Sequence, residues 1–133
     1  MRQRALFSML AALLLLLALL PVLTMAEPPR AGAWVDPKVQ EAIATQGETP
    51  VLVVLRDRAD LEAARSLPIK EARGRYVRQA LWTTATESQR GLRAMLDARQ
   101  ADYQPFYIVN AIRVRADGSL IEALAGRQEV ESI

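Results

Sequence analysis

The apolar positions of this chain follow several different patterns, and each pattern predicts a different element. Residues 51–55 form a continuous apolar run after Pro50, which predicts a strand buried on both faces at the centre of a sheet. Residues 103–108 are aromatic and β-branched, residues 111–115 alternate apolar side chains with Arg, and residues 130–133 are short and β-rich. The chain is therefore predicted to contain four strands.

Helical spacing fills the interval between the first two strands. From residue 70 to residue 100 there is no Pro, and apolar or small side chains recur every three or four positions. A helix of this length would extend roughly 46 Å, which is more than one small domain can cover. We therefore expect its first half to project, or the helix to bend near Gly91 or residues 83–84. A shorter helical turn is predicted over residues 61–67, where Pro68 interrupts it.

Two further helices carry start and stop signals. Asp36 followed by Pro37 predicts the beginning of a short helix that Gly47 ends. Residues 117–119 supply turn and N-cap chemistry for a helix with Leu120, Ile121 and Leu124 on one face, and Gly126 ends it. The resulting order is strand, long helix, strand, strand, helix, strand. It predicts an α+β fold with a split β-α-β plan, in which both helices cover one face of a four-stranded antiparallel sheet.

The alternation in the hairpin predicts which side chains lie on the uncovered face. With a two-residue turn near residues 109–111, Tyr107 and Val109 would share the helix-covered face with Ile112 and Val114. Arg113 and Arg115 would then share the bare face with Phe106 and Ile108, beside part of the central strand. An apolar patch flanked by Arg stems is typical of a partner surface, although it is also the ordinary exposed area of a small sheet.

Residues 1–26 have the three-part form of a secretory signal, with Arg2 and Arg4 before an apolar stretch and a small-residue site at Ala26. We expect cleavage between Ala26 and Glu27, and a secreted or extracytoplasmic product. An uncleaved membrane anchor is the alternative, and it would be the chain's only link to a membrane. Cleavage would lower the number of basic residues from 17 to 15, equal to the 15 acidic residues. The neutral product gives no reason to expect a nucleic-acid partner.

The composition excludes several kinds of catalytic site. The chain has no His and no Cys, which removes the usual base of Ser hydrolases, thiol chemistry, ordinary zinc sites and disulfides. The carboxylate pairs Asp57/Asp60 and Glu129/Glu131 are interpreted as solvated charges, and the Gly residues lack phosphate-loop spacing. We therefore expect no catalytic residue, no metal and no cofactor. Without cross-links, the core of about 107 exported residues depends on packing or on a partner for stability.

Four segments in this order resemble a known family: residues 50–55, 106–114, 120–124 and 129–133. They are similar to the N-terminal propeptide of secreted subtilisin-like serine proteases, especially the bacillopeptidase F-like branch with its long helical insert. The resemblance divides the chain into a signal peptide (1–26), a leader with a short helix (27–48) and a propeptide-like inhibitor domain (49–133), whose helical insert covers about residues 61–100. It covers nearly everything from Asp36 onward.

The resemblance implies a ferredoxin-like domain that docks its open sheet face on the catalytic domain, assists the folding of that domain as an intramolecular chaperone, and inhibits it. We expect the partner to be the catalytic domain of a subtilisin-like serine protease, with no small-molecule cofactor. The expected partner-binding residues are Phe106, Ile108, Asn110, Arg113 and Arg115. No Asp, His and Ser triad follows Ile133, so no proteolysis is expected from this chain. The alternative is an exported module of the same fold that binds an unrelated protein or a small ligand.

Overall fold

The computed structural model describes residues 32–133 of the 133-residue chain. The predicted signal segment and its cleavage site between Ala26 and Glu27 lie outside the described residues. Four strands and five helices occur in the described part. In chain order they are α1 Pro37–Gln46, β1 Glu48–Leu55, α2 Glu62–Arg65, α3 Lys70–Ser88, α4 Arg90–Ala98, β2 Tyr103–Phe106, β3 Ala111–Asp117, α5 Gly118–Ala125 and β4 Val130–Ser132.

The four strands form one sheet in the order β2-β3-β1-β4, and every neighbouring pair is antiparallel. The predicted α+β class with a four-stranded antiparallel sheet is confirmed, and so is the central position of β1. Val51 lies opposite Val114 of β3, and Leu55 lies opposite Val130 of β4. The strands at the two edges are the shortest, with four residues in β2 and three in β4.

The core lies between one face of the sheet and the helices α4 and α5. Alternate residues of β1 and β3 point to this face, because side chains in a strand alternate between its two sides. Leu92 and Leu96 of α4 pack against them, together with the apolar face of α5. The buried residues of this cluster are Val51, Val53, Leu55, Leu92, Leu96, Ile112, Val114, Ala116, Leu120, Ile121, Leu124, Val130 and Ile133.

The predicted burial of β1 on both faces is wrong. Val51, Val53 and Leu55 are buried, whereas the side chain of Leu52 is 47% exposed and that of Val54 is half-buried. The helices cover only the side to which the odd-numbered residues point. The even-numbered apolar residues therefore lie on a face that no helix of the described chain covers.

The predicted hairpin is also corrected by the structure. β2 ends at Phe106, and a turn over residues 107–110 replaces the two-residue turn. Tyr103 and Pro105 therefore occupy the helix-covered face, opposite Val114 and Ile112, in place of Tyr107 and Val109. The last residue of the turn is tied to β1, because the Asn110 carbonyl accepts from the Leu55 N–H at 2.9 Å.

The long helical segment is divided in two at Gln89, two residues before the predicted bend at Gly91. Gln89 itself is 2% exposed and directs its side chain toward the β2–β3 turn. Among the residues of α3, only Ala85 is buried. The first half of α3 accordingly has no buried residue.

The predicted helix boundaries are confirmed by their caps. The Asp36 carboxylate accepts from the Lys38 N–H at 2.9 Å, and Gly47 ends α1 with φ 78°, a backbone conformation that favours glycine. The Asp117 carboxylate accepts from the Leu120 N–H at 2.8 Å at the start of α5. Both helices begin where the sequence places a short polar side chain before an apolar face.

The part of the predicted leader that precedes α1 is bonded to the end of the sheet where the structure describes it. Trp34 forms a parallel bridge with Ser132, so the segment lies along the outer edge of β4. The backbone N–H of Trp34 donates to Glu131 O at 3.1 Å, and its carbonyl accepts from the Ile133 N–H at 2.9 Å. These bonds satisfy backbone groups that an edge strand would otherwise leave exposed.

Candidate protein-docking surface

We call the face of the sheet opposite the helices the outer face. The register places its residues in rows across three strands. Gln104, Arg113 and Leu52 form one row, because Arg113 is paired with both of the others. The next row holds Phe106 and Val54, on either side of Ala111. The rows combine exposed apolar side chains with an arginine.

A shallow groove of about 510 Å³ lies along the outer face and the β2–β3 turn. None of the residues that line it belongs to a helix, so the long helical insert does not cover this surface. The lining is apolar except for Arg113. The lining residues are Leu52, Pro105, Phe106, Tyr107, Ile108, Val109, Ala111 and Arg113.

Two of the predicted partner-binding residues lie on the outer face where it lines the groove, and a third lies beside it. Phe106, 37% exposed, is the last residue of β2, and Arg113 is exposed in the middle of β3. Ile108 is 70% exposed at the tip of the turn and lines the groove without being part of a strand. These three side chains are close enough to line one groove.

Arg115 lies at the far end of the outer face, and its charge is already partnered. Its guanidinium donates to the Glu48 carboxylate at 3.2 Å, with both side chains 57% exposed. An exposed pair of this kind contributes little to stability and can be exchanged for a pair with another protein. Arg113, in contrast, makes no ion pair within the described residues.

Asn110 is placed differently from the other predicted residues, because its side chain is bonded inside the molecule. Its Nδ2 donates to Asp57 O at 3.0 Å and to Ser88 Oγ at 2.9 Å, and its Oδ1 accepts from Gln89 Nε2 at 2.9 Å. The side chain thereby joins the turn to the loop after β1 and to the α3–α4 junction. Because its amide is used in these internal hydrogen bonds, Asn110 does not line the groove on the outer face.

Leu52 is an exposed residue of this surface that is absent from the predicted partner-binding set. The apolar run that contains it predicts burial on both faces, so no residue of the run stands out in the sequence. The signal that identifies Leu52 is the register: it lies opposite Arg113, which is an exposed position of an alternating strand. An apolar residue paired with an exposed arginine belongs to the solvent-facing side.

A second groove, of about 790 Å³, lies between α3 and the β2–β3 turn, and we call it the α3 groove. The turn is held against the helix by Tyr107, whose ring contacts Trp82 edge to face at 5.3 Å between centroids. The residues that line it are Lys70, Arg73, Gly74, Val77, Arg78, Leu81, Tyr107 and Ile108. The helical spacing of Val77 and Leu81 is visible in the sequence, but their place beside three cations in a groove is not.

Three of the four carboxylates in the two acidic pairs noted in the sequence have structural partners. Glu129 pairs with Arg127, and Glu131 pairs with Arg58. Asp60 Oδ1 accepts from the Glu62 N–H at 2.9 Å at the start of α2. Across residues 32–133, no three His, Cys, Asp or Glu side chains approach closely enough to hold a metal ion.

Among the titratable groups of residues 32–133, only Asp117 has a pKa that departs clearly from its ordinary value. Its carboxylate accepts from the Leu120 N–H and from the Ser119 hydroxyl at 2.9 Å, and these bonds lower its pKa below the ordinary value of 3.8. Hydrogen bonds to the ionised form favour that form. Asp117 is a helix cap at the end of the sheet, so its shift is structural.

Comparison of the chain with protein-family models, with curated proteins and with solved structures finds no match. None of the helices within residues 32–133 has both the length and the apolar character needed to cross a membrane. The two grooves and the residues that line them are therefore the features from which a function can be inferred.

Proposed function

We propose that this chain is a non-catalytic, propeptide-type domain that binds a subtilisin-like serine protease, inhibits it and assists the folding of its catalytic domain. The observation that carries the proposal is the outer face. No helix of residues 32–133 covers its half-exposed Leu52, and Phe106 and Ile108 lie at its edge. An uncovered apolar face on a small domain usually serves a partner.

The fold supports this proposal through its strand order. The order β2-β3-β1-β4, with helices packed on one face, agrees with a ferredoxin-like β-α-β-β-α-β arrangement, which we propose as the finer description of this domain. In that arrangement the second face of the sheet is available to another protein. The long segment containing α3 would be an insert that leaves this face open.

The chemistry of the outer face favours a protein partner of mixed apolar and acidic character. Leu52 and Phe106 supply apolar area, and Arg113 supplies a positive charge that no carboxylate of residues 32–133 neutralises. Arginine at the rim of an apolar patch orients a partner and adds directional hydrogen bonds. The expected contact residues are therefore Leu52, Phe106, Ile108 and Arg113, with Arg115 at the rim.

The absence of His and Cys from the sequence supports a binding role without catalysis. An export signal in residues 1–26 would bring the domain to the compartment where secreted proteases fold. There the free energy of docking would add to the stability of a domain that has no cross-links.

The direct test is capture of the protease followed by a folding assay. The chain is produced in an exporting host and used as bait in culture supernatant, with Leu52→Asp as a second bait. We expect a subtilisin-like protease to be retained by the first bait and lost with the second. We also expect the chain to raise the refolding yield of that catalytic domain and to slow its hydrolysis of peptides. Capture of an unrelated protein instead would favour the exported-interaction alternative.

A single substitution measures the contribution of the outer face. Phe106→Asp should weaken association with the captured catalytic domain by at least about 2 kcal/mol, roughly thirtyfold in Kd, because it places an unpaired charge in an apolar contact. Isothermal titration calorimetry gives the value. Ile69→Asp is the matched control, because it adds the same charge at a side chain that is 60% exposed and lies at the start of α3. Equal affinity for Phe106→Asp and the unmodified chain would rule out docking through this face.

A further inference from the structure

The α3 groove is a surface separate from the outer face, although the two share the β2–β3 turn. Its helical wall is formed by residues spaced three and four apart, so they lie on one side of α3. From Lys70 to Leu81 this side is roughly 17 Å long, about three helical turns. Tyr107 and Ile108 form the opposite wall.

Gly74 lies in the middle of this wall, at a helix-interior position where glycine is a poor choice. Glycine is, after proline, the residue least favourable to a helix interior. A Cβ atom at Gly74 would meet no atom within 4 Å, so no contact within the described chain requires its bare backbone. A second backbone lying in the groove would use that space, because the absence of a side chain permits close approach.

The charges around the groove are of one sign and are not neutralised. Residues 70–78 contain four basic side chains and one acidic one. Lys70, Arg73 and Arg78 are exposed, and none of them forms an ion pair with a carboxylate of residues 32–133. Val77 and Leu81 provide the apolar floor between them. The complementary surface is an apolar stripe bordered by carboxylates.

The shape of the α3 groove favours an anionic helix over a small anionic amphiphile or an anionic membrane surface. The groove is open to solvent, whereas a site for a small amphiphile usually buries most of its ligand. It is also a groove between two walls, whereas a bilayer surface is flat on this scale. A helix laid in a groove keeps one side in water and presents anchors at intervals of three and four residues, which match the spacing of Val77 and Leu81.

We propose that the α3 groove binds an acidic amphipathic α-helix of a second protein. The apolar stripe of that helix lies against Val77, Leu81 and Ile108, and its backbone passes over Gly74. Its carboxylates pair with Lys70, Arg73 and Arg78. This interaction does not depend on protease docking, because its contacts on α3 lie outside the outer face.

The probe for this test is a hydrocarbon-stapled 18-residue helix with a Leu stripe flanked by Glu, labelled with fluorescein. Its twin carries Lys at every Glu position. Fluorescence anisotropy is measured with the chain purified from an exporting host. We expect saturable binding of the Glu peptide that weakens as salt is added, and binding of the Lys peptide that is at least about tenfold weaker.

Variants of α3 locate the binding site. Gly74→Leu fills the space over which the partner backbone passes, and it should lower the affinity for the Glu peptide at least about tenfold. Leucine is a better helix former than glycine, so circular dichroism should show a helix content that is not reduced. Thr83→Leu is the matched control: it places the same side chain at an exposed position on the opposite side of α3, and it should change affinity less than about twofold. The double variant Arg73→Glu, Arg78→Glu should abolish binding of the Glu peptide.

Three results would overturn the proposal. The first is a lack of saturable binding of the Glu peptide, and the second is equal affinity of Gly74→Leu and the unmodified chain. The third is co-sedimentation with phosphatidylglycerol vesicles that exceeds peptide binding and is lost in the Arg73→Glu, Arg78→Glu variant, which would assign the groove to a membrane surface. Leu52→Asp separates this proposal from the protease proposal, because it should remove protease binding and leave peptide binding unchanged.

Discussion

At the scale of single residues, one buried amide fixes the geometry of the proposed docking surface. Gln89 Nε2 donates to Phe106 O at 2.8 Å and to Asn110 Oδ1 at 2.9 Å, with Ala111 O at 3.4 Å. These acceptors lie at the two ends of the β2–β3 turn. One side chain from the α3–α4 junction therefore determines where β2 ends and where Phe106 and Ile108 are held.

Replacing Gln89 with leucine should destabilise the domain more than the same replacement of an exposed glutamine. Gln89→Leu leaves Phe106 O and Asn110 Oδ1 without their donor in a buried site, which costs about 1–3 kcal/mol. Urea unfolding followed by circular dichroism measures the loss. The control is Gln79→Leu, at an exposed position on α3 whose amide donates only to Thr83 Oγ1 at 3.1 Å, and it should change stability by less than about 0.5 kcal/mol. Equal effects of the two substitutions would show that the buried bonds are not important.

The cap at Asp117 predicts a pH dependence of stability. Its pKa is lowered in the folded chain by the Leu120 N–H and the Ser119 hydroxyl, so the ionised form stabilises the fold. That contribution is present above the ordinary value of 3.8 and is lost as the pH falls through the lowered folded value. Asp117→Asn retains a capping side chain without the charge. In thermal melts, the advantage of the unmodified chain over Asp117→Asn should therefore be constant above about pH 5 and shrink below about pH 4. An advantage that grows toward acid would contradict the sign.

At the scale of elements, the sequence predicted which helices and strands form better than it predicted which of their side chains are buried. The caps at Asp36 and Asp117 and the helical spacing on α5 are local signals, and the corresponding elements form where they indicate. The burial of β1 depends on whether a second layer covers the sheet, which is not encoded within residues 51–55. The end of β2 likewise depends on Gln89, which is 17 residues away from Phe106 along the chain.

For the candidate site too, the sequence predicted what depends on local periodicity and missed what depends on tertiary contacts. Alternation along β3 correctly placed Arg113 and Arg115 on one face with Phe106, because strand periodicity is a local property. Asn110 could not be judged from the sequence, since its bonds reach Asp57, Ser88 and Gln89 through tertiary structure. The α3 groove could not be foreseen either, because the apolar spacing of a surface helix looks the same whether it faces the core or a groove.

Gly74 and Gly91, two of the glycines that lie within helices, give a prediction for α3 and α4. Gly74→Ala should stabilise the chain by about 0.5–1 kcal/mol, because alanine favours the helix and a Cβ there meets nothing within 4 Å. Gly91→Ala is the matched comparison in α4. A Cβ there would lie 2.8 Å from Arg127 Nη2, so the Arg127–Glu129 pair must shift. Urea titration should show a gain for the first and a smaller gain or a loss for the second. A larger gain for Gly91→Ala would contradict this explanation.

At the scale of the whole molecule, the domain has one core and two exposed apolar grooves that flank the same turn. The core cluster contains thirteen buried residues, and the sequence has no cysteine to cross-link them. The first half of α3 lies outside this cluster, and no helix of residues 32–133 covers the outer face. Both features place apolar area where it adds nothing to the stability of the isolated chain but can add to that of a complex.

This distribution predicts how the isolated and bound chains should melt. For the chain alone we expect a broad, weakly cooperative thermal transition, because part of α3 can lose structure without disturbing the core. Adding the captured subtilisin-like catalytic domain, inactivated at its serine, should sharpen the transition and raise its midpoint. At a free partner concentration of about one hundred times Kd, binding to the folded state alone adds about 2.7 kcal/mol. Calorimetry of the chain, the catalytic domain and their mixture separates the contributions. In the same mixture the Phe106→Asp chain should gain no more than about 0.9 kcal/mol, because its Kd is at least about thirtyfold higher. A sharp transition at high temperature without any partner would mean that the domain is complete by itself, and a need for stabilisation by a partner could then not explain its open face.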